Sequence, residues 1–196
     1  SMGRSLGSSR YTVSFDANGG AGSITPPLAG AVYNSKPDAR NGAVYRVPDA
    51  ELAKTGYLFD GWARSSVGEK AYGPDGTFSN LGKAGAKVLY AHFAPIAYTI
   101  AFDSSGGPAV SDIYAVYDQE VELPGADYDG YVLRSWLDKG TGASYEPGPA
   151  KNLADVDGAI VTLTAQWAGI LSADVPLEVV ARIDVLGIEA PSEDSG

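Results

Sequence analysis

The chain has 196 residues, 14 Lys and Arg against 24 Asp and Glu for a formal net charge of −10, and no cysteine. So acidic a surface repels nucleic acid and anionic lipid alike, which argues against both as partners. The absence of cysteine excludes a disulfide framework and Cys-based zinc sites, and suits the cytosol or the outside of a Gram-positive cell.

Taken in chain order, the polar start Ser1-Met2-Gly3-Arg4 lacks the apolar core of a signal peptide. Residues 1–10 read as a tag-derived or disordered leader, with Ser1 a cloning scar on a piece of something longer. Tyr11, Val13 and Phe15 then share one face of a strand that ends at Asp16-Ala-Asn-Gly-Gly20, a run of turn formers. Ala-Val-Tyr follows twice, at 31–33 and 43–45, and either could be the second strand, the other belonging to an insertion near 31–48. Gly56-Tyr57 leads to Trp62. In the closing strand Leu89, Ala91 and Phe93 alternate with Val88, Tyr90 and His92, the period of a half-buried strand, so Phe93 is expected inside and His92 wet.

The same order then repeats. Tyr98-Thr-Ile-Ala-Phe-Asp-Ser-Ser-Gly-Gly107 matches residues 11–20. Ala115-Val-Tyr117 with Val121-Glu-Leu-Pro124 reads as the second strand, Gly130-Tyr131 leads to Trp136, and Leu163, Ala165 and Trp167 alternate with Thr162, Thr164 and Gln166. The Trp and closing-strand matches share an offset of 74, whereas the opening strands are offset by 87, so the first copy carries about 13 extra residues. Ser79-Asn-Leu-Gly and Lys151-Asn-Leu-Ala precede the closing strands as short helical turns. Duplication at this period describes an array of small modules, here 11–95 and 98–168, each with a modest core. That core is expected to be Phe15, Tyr57, Trp62, Leu89 and Phe93 in the first copy, and Phe102, Tyr131, Trp136, Leu163 and Trp167 in the second.

Three ordered segments carry a family resemblance: Thr12-Val-Ser-Phe-Asp-Ala-Asn-Gly-Gly20, Gly56-Tyr-Leu-Phe-Asp-Gly-Trp62 and Leu89-Tyr-Ala-His-Phe93, each with its counterpart in the second copy. Together they resemble the internalin-type B-repeat, also called the Listeria-Bacteroides repeat. The resemblance implies a mainly β, β-grasp (ubiquitin-like, α+β) module found in tandem on bacterial cell-surface proteins. Phe93 stands where the family has a closing Trp, and Leu133-Arg134-Ser135 replaces its Phe-x-Gly.

Candidate chemistry is sparse. His92 is the only histidine and its counterpart is Gln166, so a catalytic role is not expected, nor is any nucleophile elbow present. Asp127-Tyr-Asp-Gly130 and Asp155-Val-Asp-Gly158 resemble pieces of calcium loops but lack the closing glutamate, so no metal or other cofactor is expected. Trp62, Trp136 and Trp167 have faces suited to sugars, yet in modules this small they are expected in the core. Among the tyrosines, Tyr33, Tyr45, Tyr72, Tyr90, Tyr117 and Tyr145 include exposed rings suited to contact.

No apolar run approaches the roughly 18 residues of a membrane span, so no membrane insertion is expected here. After the second module, Val175, Leu177, Val179, Ala181, Ile183 and Val185 share one face of a strand over 174–186, followed by a polar linker. This strand is read as the start of a following domain within 171–196, whose free edge invites pairing in cis or a dimer in trans. The expectation for the whole is a non-catalytic, extracellular stalk or adhesive array on a bacterial cell wall, its repeats partnering one another. The alternative is a recognition module for a host glycan or surface protein, with the insertion carrying contacts.

Overall fold

The computed structural model describes residues 9–170. The 174–186 strand, its linker and its dimer contact lie outside the described residues. The fold is mainly β. Among the described residues there is no α-helix, only a 3-10 turn at Ala39–Asn41 within the insertion. Two compact units divide the chain, one running to Ala97 and including Val116–Asp118 and Asp155–Asp157, the other holding the remaining segments.

In the first unit the strands are β1 (Arg10–Asp16), β2 (Leu28–Val32), β3 (Tyr45–Arg46), β4 (Ala53–Lys54), β5 (Tyr57–Ala63), β6 (Lys70–Tyr72), β7 (Thr77–Phe78) and β8 (Ala86–Pro95). The sheet runs β2-β1-β8-β5-β4, with β6 also on β5, and β3 and β7 form a separate ribbon. Only β1 and β8 are parallel; β1 buries Tyr11, Val13 and Phe15 and leaves Thr12 and Ser14 half-buried, as the period of two demands.

The second unit repeats the plan with β9 (Ala97–Asp103), β10 (Ile113–Val116), β11 (Val121–Leu123), β12 (Tyr131–Asp138), β13 (Ser144–Tyr145), β14 (Gly148–Ala150) and β15 (Ile160–Gly169). Its sheet runs β10-β9-β15-β12-β13 beside a β11–β14 ribbon, with β9 and β15 parallel. The comparison resolves the duplicated Ala-Val-Tyr. Ala31 and Val32 pair with β1 as β10 pairs with β9, while Tyr45 opens β3. Most of the insertion therefore lies after Tyr33, not from residue 31.

Both units close their first turn alike. The Asp16 and Asp103 carboxylates accept from the amides of Asn18 and Ser105 at 2.7 and 2.9 Å, and those two residues take φ of 49°. A Cβ on Gly20 would sit 2.5 Å from Phe93 Cζ, and one on Gly107 2.7 Å from Trp167 Cζ2. The second glycine is thus needed because the closing aromatic ring lies against it. The central motif is also explained. A bulge falls between Phe59 and Gly61 and between Leu133 and Ser135, after which Trp62 and Trp136 turn inward to 0% exposure. Each indole N–H donates to a proline carbonyl, Pro48 at 3.3 Å and Pro124 at 2.8 Å, and each ring meets a first-strand phenylalanine edge-on, Phe15 or Phe102.

Several expectations need correction. Residues 115–124 are not one strand, since Asp118 at φ 63° turns the chain and Val121–Leu123 joins the ribbon. The turns before the closing strands are irregular, not helical, because Asn80 and Asn152 take left-handed φ of 53° and 60°. In the second unit the Leu153 amide donates to the Tyr98 hydroxyl at 3.3 Å. The equivalent Tyr11 hydroxyl is buried beside Asn80 and Leu81 without a partner at hydrogen-bonding geometry. Thr164, placed by alternation on the polar face, is 5% exposed. Phe15, Trp62, Leu89, Trp136 and Leu163 are buried, whereas Tyr57, Phe93, Phe102 and Trp167 are half-buried. Tyr131 is not core at all but 45% exposed. It opens β12 opposite Gly169, past the end of the packed interior, with no cross-strand side chain to cover it.

Candidate functional site

Each unit places a residue just before its Gly-Tyr as a wedge between two rings. In the first unit the wedge is Lys54, whose ammonium lies 4.6 Å from the centre of the Tyr57 ring and 5.3 Å from that of Phe93. Polar contacts lie nearby. The Asn18 amide donates to the carbonyls of Ser66 and Ala91 at 2.8 and 3.0 Å. Asp60, at the bulge, brings one carboxylate oxygen 2.5 Å from His92 Nδ1 and the other 3.6 Å from Lys70 Nζ. His92, expected wet, is thus half-buried against Asp60, which also pairs with Lys70.

In the second unit the wedge is Tyr128. Its ring stacks on Tyr131 at 4.5 Å and 11°, and meets Trp167 at 5.3 Å and 60°. The turn is fixed by Gly130 at φ 84° and by the Tyr131 amide donating to the Tyr128 carbonyl at 2.9 Å. Trp167 is held by its indole N–H on the Ser104 carbonyl at 2.7 Å. Shorter Ser105 replaces Asn18, and Gln166 replaces His92. The Gln166 amide nitrogen reaches the carbonyls of its own strand, Thr164 and Ala165, at 3.3 and 3.2 Å. An open cleft of about 500 Å³ results, lined by these aromatics with Ser105, Lys139, Thr164 and Gln166.

A second cleft, of about 550 Å³, lies in the first unit between Thr25–Leu28 and Tyr45–Asp49, next to the end of the insertion. The six tyrosines named from sequence are all half-buried, and the exposed rings are Tyr114, 83% exposed, and Tyr131. Sequence reasoning missed Tyr128 as a site residue. The signal was present in the repeat offset of 74, which sets Tyr128 against Lys54 at a position outside the alternating core. Burial holds the hydroxyls of Tyr11 and Tyr145 protonated above the ordinary 10.0; for Tyr145 the carboxylate of Asp138 adds to the effect. Among the described residues no three His, Asp or Glu side chains gather as a metal site would need, and no helix is long and apolar enough to cross a membrane.

These features define a duplicated all-β repeat protein. The chain belongs to the Listeria-Bacteroides repeat domain family, which it matches over residues 11–92 and 98–157. It is also similar to a protein of Evansella cellulosilytica named "Putative Gly-rich membrane protein", with 30% identity over 149 residues. That alignment covers 70% of this chain but 17% of the relative's length.

Proposed function

We propose that this chain is a non-catalytic repeat segment of a bacterial cell-surface protein, serving as a spacer or adhesive array of the internalin B-repeat type. The observation that carries the reading is the join between the copies: β8 ends at Pro95 and β9 begins at Ala97, leaving Ile96 alone as linker. So short a connection, with φ fixed at Pro95, suits modules held at a set spacing. Family membership and the membrane protein that the chain resembles in part support a surface location on a Gram-positive wall. The β-grasp assignment is supported by each sheet's mixed order, with first and last strands parallel at its centre. Because the chain lacks cysteine, Ser35→Cys with Thr141→Cys would carry two spin labels, one on each copy. A narrow distance distribution between them is expected of a spacer; a broad one, as for two modules on a free tether, refutes it.

A second reading, a recognition module for a host glycan or protein, is favoured by the gathering of the Tyr128, Tyr131 and Trp167 rings beside an open cleft.

A further inference from the structure

We infer that the second unit carries a saccharide-binding cleft, in which Tyr131, Tyr128 and Trp167 form the stacking wall and Gln166, Lys139 and Ser105 the polar side. The inference gives the recognition reading a site and stands apart from the spacer reading. Its first support is the comparison of the two copies. The same backbone positions hold Lys54 between two rings in the first copy and Tyr128 between two rings in the second. At the positions where the first copy has Asn18 bonded to two carbonyls and His92 against Asp60, the second has Ser105 and Gln166 lining a cleft.

The second support is the chemistry of the lining. A pyranose ring presents a face of C–H groups and a rim of hydroxyls. The rings of Tyr128 and Tyr131, stacked on each other and anchored through Trp167, offer a wall whose orientation is fixed before any ligand arrives, which lowers the ordering cost of binding. The lining also includes an amide, an ammonium and two hydroxyls, from Gln166, Lys139, Ser105 and Thr164. Of the nine lining residues only Leu137 and Ala165 lack a hydrogen-bonding side chain, a lining that fits a ligand rich in hydroxyls better than a proline-rich peptide, which docks in aromatic grooves with few polar contacts. The cleft's volume of about 500 Å³ falls within the span of ligand sites, roughly 300–1,000 Å³. Lys139 also gives the cleft's lining a cation, where a carboxylate-bearing sugar would find it.

The test titrates the whole chain with cellohexaose, chitohexaose, mannohexaose and tetragalacturonate, read by amide and indole NMR shifts. At least one probe should shift Tyr131, Gln166 and the Trp167 indole saturably, with a dissociation constant in the roughly micromolar to millimolar range. Tetragalacturonate alone would identify the acidic class, and any neutral hexasaccharide the hydroxyl class. Tyr131→Ala and Tyr128→Lys, the latter copying the residue that the first unit already seats, should each weaken binding about tenfold or more. Lys54→Ala in the first unit should leave it unchanged. The inference is overturned by no saturable shift with any probe, by shifts that map elsewhere, by binding that both variants retain, or by decaproline occupying the cleft in place of the sugars. Each of these leaves the spin-label distances of the spacer reading untouched.

Discussion

Replacing Gly107 by alanine probes the contact that ties the first turn of a unit to its last strand. The new Cβ would stand 2.7 Å from Trp167 Cζ2 and 3.3 Å from the Ser104 carbonyl oxygen, whereas ordinary contact begins at 3.4 Å. The indole must therefore retreat by several tenths of an ångström. It cannot do so freely, because its N–H is bound to Ser104 at 2.7 Å and its face is backed by Tyr128. Overpacking of this kind costs about 1–3 kcal/mol, and loosening the hydrogen bond adds about 0.5–1.5 kcal/mol, so Gly107→Ala should destabilise the second unit by roughly 1.5–4.5 kcal/mol. Guanidinium unfolding, followed by amide exchange in residues 160–169, measures it. The double variant with Trp167→Ala supplies the decisive comparison, since with the ring gone the added methyl has nothing to strike. The two substitutions should then be strongly non-additive. Additive losses would refute the claim that the ring is what demands glycine here.

Trp62→Ala and Trp136→Ala, which empty fully buried sites, should each cost about 3–5 kcal/mol in chemical denaturation. Phe93→Ala and Trp167→Ala, at half-buried sites, should cost less, and Gln166→Ala under about 1 kcal/mol; equal losses at all five would contradict the packing described. Neither calcium nor a chelator should move the melting temperature by more than about a degree, and a rise of several degrees with calcium would reveal a bound ion through linkage. At alkaline pH the buried hydroxyls matter. Tyr11 and Tyr145 have folded pKa values above the ordinary 10.0, so their contribution is complete below about pH 10 and is lost as pH climbs through the folded values. Stability should fall above pH 10, and Tyr11→Phe should make that fall shallower; an unchanged slope in the variant would count against it.

Much of the architecture could be read from the chain because it is written twice. The inward Leu89 and Leu163, the inward Trp62 and Trp136, and the turns after Asp16 and Asp103 all follow from positions that agree between copies, although Thr164 is buried on the face that alternation marks as polar. The site was less legible for the same reason. Tyr131 matches Tyr57 in type, and the match concealed that its surroundings differ: Tyr57 carries Lys54 against its ring and meets Tyr117 edge-on, whereas Tyr131 stacks on Tyr128 and stands exposed. Period-two reasoning also fails across a bulge, which shifts the register between Leu133 and Ser135 and alters which neighbours meet. The irregular turns at Asn80 and Asn152 depend on left-handed backbone and, at Leu153, on a hydroxyl more than fifty residues away in sequence, a long-range partner that no local pattern announces.

The parallel pairing of first and last strands has a mechanical consequence. Tension along the chain enters a unit at the start of β1 and leaves at the end of β8. Because these strands run side by side in one direction, those two points lie at opposite ends of the ladder that joins Thr12–Asp16 to Ala86–Tyr90. A pull therefore slides the strands past each other and loads the evenly spaced bonds together instead of unzipping them one by one. The second unit, with Thr99–Asp103 against Ile160–Thr164, would meet the same load in the same way. Resistance of this kind is governed by the rate of forced unfolding, not by equilibrium stability. Each copy would in that sense resist a pull along its length as a link in a chain does.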